Sequence, residues 1–593
     1  MNVSSELQLL SRFGKAPLFI GLTLVLGASL SLSATVAARE ALLIGTGTKG
    51  AGNTPAGHTG LRLGDQRAGL ARQLGLRSAP TSVAPNRPAG TVAVSNCDDD
   101  GAGSLRDALV NAVSGDVIDL TSLSCSSITL STGLTTSVDD LTIHGPGADQ
   151  LAIDGDNASR VIEHLGYGML TIDGLTIRNG SYVYNGPGIY AGLAPGACVL
   201  SMRSVTISNS VIDHCSASGW SVFGGAIDVL GALYLVDSTV TGTTATANAT
   251  EISATIYGGA IYAAAAYVTR STVSDAVVSA TSTTAFSGMM GGGIQGFYGV
   301  VLDHSRVSGV TAHVSAIQST YAKGGGVASP NTVVLISSTV SGNSVHGTPG
   351  VGASGPYVSI SAIGGGGVYI MDIPRSGAYP SYMLNSTISD NSAICDGEVG
   401  EYTVGGGGGL GSWRLVTITN STLSGNIAST QGGGLYLRNG GALALANSTV
   451  TDNSAPDGAG IAANSGAYPA YDLVTNSSIV AGNLLPGGAP LAEIVTAGII
   501  TGANNLIGSA NAALPGDTLG GDPLLGPLAA NGGTTLTHAL LPGSPAIDAG
   551  SNLTGLTSDQ RGGNYVRVDG AAADIGSFET QPLADLVFAN GFD

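Results

Sequence analysis

Between residues 141 and 483 the chain keeps returning to one short phrase, and this repetition constrains the fold more than any other feature. The phrase opens as Leu-Thr-Ile at 141–143 and 175–177 and as Val-Thr-Ile-Ser-Asn-Ser at 205–210. It continues as Ser-Thr-Val-Thr-Gly-Thr (238–243), Ser-Thr-Val-Ser-Asp-Ala (271–276), Ser-Arg-Val-Ser-Gly-Val (305–310) and Ser-Thr-Val-Ser-Gly-Asn (338–343). Close copies recur at 386–391, 421–426, 448–453 and 478–483. A second phrase, a Gly-rich run ending in Ile, Val or Leu, alternates with it at 224–227, 258–261, 291–294, 324–327, 364–368, 405–410, 432–435 and 458–461. A two-phrase repeat with most starts about 27 to 35 residues apart is the signature of a solenoid.

The residues inside each phrase say which solenoid. β-Branched Thr and Val suit a short strand whose side chains alternate between two faces. Gly-Asn or Asp-Asn then permits a sharp turn at positive φ, and the Gly run lets the backbone bend close to its neighbour. One such unit cannot bury its apolar face alone, but stacked copies share a continuous interior. The expected fold is therefore all-β: a right-handed parallel β-helix over residues 91–510. Asn343, Asn391, Asn426, Asn453 and Asn483 share one repeat position, which predicts an inward amide ladder. The preceding repeats have Thr243, Ala276 and Val310 there, so the ladder should be partial.

An open stack of strands needs protected ends. Gly-Ser-Leu-Arg-Asp-Ala-Leu-Val-Asn-Ala at 103–112 is the clearest helical stretch. Ser104 is placed to cap it, and Leu105, Ala108, Leu109 and Ala112 share one face. It is expected to lie across the first coil as an N-terminal cap, near 97–125.

Composition agrees and excludes much else. The chain has 593 residues, 92 of them Gly, with charged residues only 10% and aromatic residues 5%, which suits strands and turns rather than amphipathic helices. A formal charge of −19 and only Lys15, Lys49 and Lys323 as lysines leave no positive field for a phosphate backbone, so nucleic-acid binding is excluded as an expectation. Arg12 and Lys15 before the apolar run 17–32, followed by Val36-Ala37-Ala38, read as a signal peptide over 1–38. The competing reading is an uncleaved anchor; no later run is comparable, so no transmembrane span is expected in the mature chain. Residues 39–90 read as a flexible leader. In an exported chain the five cysteines invite pairing. Cys97 with Cys125 and Cys198 with Cys215 are the nearest pairs, leaving Cys395 over.

Two stretches resemble known families. Residues 97–155, with Gly103-Ser104-Leu105-Arg106-Asp107-Ala108, resemble the N-terminal module named for Cys-Ser-Leu-Arg-Glu-Ala; Gly and Asp replace the named Cys and Glu. Residues 521–550, with Asp559-Gln560-Arg561-Gly562 and 569–579, resemble the choice-of-anchor Q domain, here assigned to 511–580. The repeats are similar to those of polymorphic outer-membrane proteins and β-helical adhesins. These resemblances imply export to the extracellular space or outer-membrane surface of a Gram-negative bacterium. The tail at 581–593 resembles short Phe-x-x-Gly-Phe-acidic tails, which would make it a sorting tag; its other reading is a plug on the last coil.

Function is read as that of a surface or secreted binding or structural protein, adhesin-like, with extracellular glycans or cell-surface proteins as partners. No catalytic, metal or cofactor residues are assigned. Gly-Lys-Ser/Thr is missing from the Gly runs, and calcium nonapeptides are absent. The alternative is a polysaccharide lyase or glycoside hydrolase on the β-helix face, for which fold alone is no warrant. A glycosidase needs two opposed carboxylates, and a lyase needs a base such as Arg203, Arg270, Arg306 or Lys323. Asp213-His214 and Asp303-His304 resemble a pectate lyase phrase, yet each falls beside a repeat, where polar residues face solvent. His538 and Asp548 read as packing or turn residues, and Asp559, Gln560 and Arg561 as a loop anchor. Tyr182, Tyr184, Tyr190, Tyr369, Tyr379 and Tyr382 are candidates either for a carbohydrate-stacking surface or for shielding loops.

Overall fold

The computed structural model describes residues 90–184, 193–250, 253–283, 286–317, 319–349, 362–371, 380–396, 406–438, 442–464, 472–484 and 492–581. The expected signal peptide, leader and sorting tail therefore lie outside the described residues. The chain forms two units, and the smaller, Met1–Thr59 with Tyr184–Leu193, is almost wholly outside the described residues.

The larger unit, Gly60–Val183 with Ala194–Asp593, is a right-handed parallel β-helix. Among the described residues its strands form four parallel sheets of 23, 13, 8 and 6 strands, which we divide into five faces. The first face comes after each Gly-rich phrase, as in Ile227–Val229, Val327–Ser329 and Leu435–Arg438. The second face shares its sheet, and Ile227–Val236, Ile261–Thr269 and Ile294–Asp303 run through both. The Thr-Val-Ser phrase makes the 13-stranded third face. The fourth and fifth faces close the wider coils.

Alternation along each strand sends one side chain inward per rung, and the register stacks like on like. Ile143, Ile172, Ile207, Leu235, Val268 and Leu302 are successive partners on the second face, and all are fully buried. Ile212 and then Val240, Val273, Val307, Val340, Ile388, Leu423 and Val450, which are the middle letters of the repeat phrase from 238 on, do the same on the third. Each such side chain contributes about 1.5–3 kcal/mol of burial relative to exposure, against the entropy of ordering a coil.

The corner between second and third faces carries a polar column that the repeat phrases did not announce. The backbone N–H of Ser210 donates to Ser238 Oγ at 3.1 Å, Ser238 N–H to Ser271, Ser271 to Ser305, Ser305 to Ser338 and Ser338 to Ser386. The column continues through Ser421, Ser448 and Ser478 to Asn505. From Ser238 to Ser478 each residue is the first letter of its phrase, and the residue before it sits at positive φ, as Asp237, Arg270, His304, Asn385 and Asn447 do. Asn and Asp tolerate that conformation through local hydrogen bonds.

The cap is a helix, α1, over Leu105–Asn111, with Ser104 Oγ accepting the Asp107 N–H. Leu105, Ala108 and Leu109 are buried in the same core as Ile118 and Leu134. Arg106 pins α1 to the first coil by donating to the carbonyls of Thr132 and Gly133 at 2.6 and 2.9 Å and pairing with Asp99 at 2.6 Å. Burial would raise the Asp99 pKa, but hydrogen bonds from Ser131 and Arg106 outweigh it and hold the group low. Disulfides join Cys97 to Cys125 and Cys198 to Cys215, and Cys395 is free. Among the described residues no helix is long and apolar enough to cross a membrane.

After residue 519 the chain turns back along the outer side of the third face. Leu536 O accepts from Thr387 Oγ1, Gln560 bridges Thr387 and Thr422, His538 meets Ser424, Ser577 meets Thr449, and Ser551 meets Ser477. The outward Thr and Ser of those strands are consequently buried, whereas Thr239, Thr241, Thr272 and Ser274 stay half-exposed. Arg561 fastens this segment. Its guanidinium pairs with buried Asp559 at 2.6 Å and lies 3.8 Å from the ring centres of both Tyr565 and Phe578.

Candidate functional site

The Gly-rich phrase forms the corner between the fifth and first faces, and its glycines make the corner sharp. Gly258 and Gly291 sit at φ 66° and 64°, and a Cβ on either would meet a carbonyl three residues on at 2.0 and 2.3 Å. On the fifth face Val222, Ile256, Met289 and Ala322 point into the core, so their neighbours Phe223, Tyr257, Met290 and Lys323, successive partners, line its outer side. On the first face Ile227, Ile261, Ile294 and Val327 point inward. The outer row is Asp228, Tyr262, Gln295, Ala328, Tyr369, Gly411 and Tyr436.

The two rows touch across the corner. Phe223 stacks on Tyr257 at 5.1 Å and meets Tyr262 edge-on at 5.3 Å. Tyr369 packs with Met290 and Ala328, against Tyr257, Tyr321, Met371 and Trp413. Glycines give the rings room to lie flat: a Cβ at Gly288 would fall 1.9 Å from the Tyr321 ring, and one at Gly406 would fall 2.7 Å from the Tyr436 ring. The result is an aromatic floor running along the stack, with rungs about 4.8 Å apart.

Its two ends differ in charge. Toward the N-terminus Asp228 and Gln295 are buried, and Asp228 Oδ1 and Gln295 Oε1 have no hydrogen-bond partner. Burial pushes the Asp228 carboxyl up to about 8, against the pull of Arg160. Toward the C-terminus Lys323 Nζ lies 5.9, 5.4 and 5.5 Å from the ring centres of Tyr321, Tyr369 and Trp413, and Arg438 lies 5.0 Å from that of Trp413. Burial, and then the charge of Arg438, bring the Lys323 ammonium down to about 8.

The residues singled out from sequence fall elsewhere, with one exception. His214 and His304 occupy positive-φ corner positions at 48° and 51° and bond the preceding Asp213 and Asp303 at 2.6 and 2.7 Å, so each Asp-His is a corner device. Arg270 pairs with Asp237 at 2.6 Å, Arg306 bonds Ser308 and Ser341, and Arg203 lies over Tyr167. Lys323 is the exception. The tyrosines grouped by sequence do not form one surface: Tyr182 lies under Arg160 and Tyr382 packs on Val334 and Ile336, while Tyr190 and Tyr379 lie outside the described residues. Of the four that are described, Tyr369 alone belongs to the aromatic floor, whose members, Tyr257 and Tyr262 apart, come from different coils and so are scattered in the sequence. Among the described residues no three His, Cys, Asp or Glu side chains gather as a metal-holding group.

The amides of Asn343, Asn391, Asn426 and Asn453 are fully buried. Each donates from both its backbone N–H and Nδ2 to the next amide oxygen, Asn343 to Asn391 at 3.1 and 2.9 Å, and likewise through Asn426 and Asn453 to Asn483. The column ends on Glu493, whose Oε2 accepts from Asn483; burial keeps the Glu493 pKa raised against those hydrogen bonds. This is internal scaffolding.

No family model matches the chain and no curated protein matches it, so the resemblances stand on their residues alone. Among solved structures the crystal structure of pectate lyase Pel9A is similar at 12% identity, covering 83% of this chain and 96% of that one, with a TM-score of 0.30. At that level nothing functional follows from it.

Proposed function

We propose that this is an exported glycan-binding protein of the cell surface or surroundings, and that the aromatic floor between its fifth and first faces is the binding site. One observation carries the reading. Phe223, Tyr257, Tyr262, Tyr321 and Trp413 are half-buried rings along one corner, interrupted only at the coil of Met290 and Gln295 and backed by the buried Tyr369 and Tyr436, a surface suited to stacking against the apolar faces of linked sugars. Two disulfides suit an oxidising, extracellular setting.

Affinity electrophoresis of the mature protein through a panel of embedded polysaccharides tests this. At least one polysaccharide should retard the wild type, and Trp413→Ala with Tyr321→Ala should lose that retardation while still unfolding cooperatively, at a Tm lowered by the lost packing on Tyr369. Equal retardation of wild type and variant would move the site off this corner. A second reading, a polysaccharide lyase, is favoured by Lys323 alone, whose depressed pKa suits a general base near neutral pH. Release of unsaturated ends that disappears in Lys323→Met would establish it.

A further inference from the structure

We propose that the Lys323–Arg438 end of the aromatic corner recognises an anionic group on the bound saccharide, so that the protein selects acidic over neutral glycans. This rests on the glycan-binding reading above and narrows it to a ligand class.

Cations are scarce in this chain. It carries −19 and three lysines in all, yet one of those lysines shares the Trp413 ring with an arginine. Many of its other cations are matched: Arg106 with Asp99, Arg178 with Asp154, Arg270 with Asp237, Arg561 with Asp559. Among the described residues neither Lys323 nor Arg438 has a carboxylate partner, and both lie against ring faces. Two like charges held together and partly out of water are unfavourable in the free protein. An anion entering between them removes that repulsion and gains charge-assisted hydrogen bonds.

The placement fits a saccharide lying along the floor. Lys323 belongs to the fifth-face row and Arg438 to the first-face strand Leu435–Arg438, so the cations approach from the two walls of one corner. Tyr321, Tyr369 and Trp413 lie around Lys323. A sugar ring stacked there would present an equatorial substituent to one cation or the other. Carboxylate and sulfate share this chemistry; the geometry assigns the charge, and the experiment separates its sources.

The test titrates the mature protein with three matched probes: a uronic-acid oligosaccharide, the same oligosaccharide methyl-esterified, and a sulfated neutral oligosaccharide of equal length, read by isothermal calorimetry. The acid form or the sulfated form should bind about tenfold or more tightly than the ester, equivalent to about 1.4 kcal/mol. That margin should shrink at about 1 M salt, where the Debye length is about 3 Å. It should close in Lys323→Met with Arg438→Gln, read as the ratio of acid to ester affinity within that variant. If ester, acid and sulfate bind equally in the wild type, the anion assignment is wrong and the groove stands. If none of the three binds and the polysaccharide panel is also silent, the glycan reading itself has failed. A margin that survives the double variant places the anion site elsewhere and overturns the proposal.

Discussion

The coils around Ser238–Ser305 and those around Ser421–Ser478 are written in the same words but built differently. In the first group successive rungs of the serine column are 33 or 34 residues apart; in the second they are 27 or 30. The extra residues form six-residue fourth-face strands such as Val277–Ser282, against the two residues of Ile427–Ala428, and they add the fifth face. A wide coil fills its cross-section with apolar side chains and puts Ala276 or Val310 at the position under the turn. From Asn343 onward the same position is Asn, first in coils as wide as these (Asn343 and Asn391) and then in the narrow ones, and its amide satisfies the turn backbone and its neighbour. The returning segment covers the outer third face of the narrow coils and of the 35-residue coil before them, at Thr387. The aromatic corner begins where the fifth face exists and runs on into the first narrow coil, whose strand Leu435–Arg438 supplies Tyr436 and Arg438, while the later narrow coils are held by ladder and cover.

Removing the returning segment should separate the two groups most visibly. Truncation after Leu519 should raise hydrogen exchange sharply at 387–389, 422–424 and 449–451, because the hydroxyls of Thr387, Thr422 and Thr449 lose their partners. Exchange at 239–241 and 272–274 should stay as it was. Uniform loss of protection would mean that the two regions are not separable.

Asn426→Ala comes next. It strips the acceptor from Asn391 N–H and Nδ2 and should cost about 2–4 kcal/mol, since buried groups left unpaired cost about 1–3 kcal/mol each. The matching change in a wide coil, Thr243→Val, should be neutral or stabilise by up to about 1 kcal/mol, because the Thr243 hydroxyl is already buried without a partner. Denaturant unfolding of both variants checks the pair, and similar losses would erase the distinction.

A smaller effect concerns pH. The folded Asp228 carboxyl titrates near 8, above its ordinary value of 3.8. The folded state therefore holds its proton more tightly than the unfolded chain, and stability is lost as pH rises from about 4 through 8. Asp228→Asn should flatten that slope and raise Tm by roughly 2–4 °C at pH 8, with little change near pH 4. Thermal scans across that range read it directly. The smallest effect is on ligand preference. Lys323 loses its charge through about 8, with Arg438 the charged neighbour and Tyr321 and Tyr369 pushed further up by burial. Calorimetric titrations should therefore show the acid-over-ester margin falling between pH 7 and 9.

The repeat words made the fold legible, since Thr-Val alternation and Gly-rich bends leave few ways to hide an apolar face. The amide column was legible for the same reason: identical residues at one offset must stack. The serine column was not legible although Ser opens each phrase from 238 on, because a small hydroxyl in a polar phrase looks like surface until the register shows it donating two residues back. The aromatic corner was not legible. Tyr257, Tyr321, Trp413 and Tyr436 occupy different repeat letters on two faces, and only coil-to-coil register with the corner's curvature brings them together. Sequence proximity grouped Tyr182 with Tyr184 instead. The path of 523–581 along the third face was hidden too, because Gln560 and Ser577 find partners more than a hundred residues away.

Binding along the aromatic corner is tested most directly by a hydrogen-exchange footprint of the mature protein with a saturating oligosaccharide from the panel. Protection should appear at 254–257, 286–290, 319–323 and 435–438, on both walls of the corner, with none added at 239–241 or 272–274. Protection confined to the third or fourth face, with that corner unchanged, would contradict it.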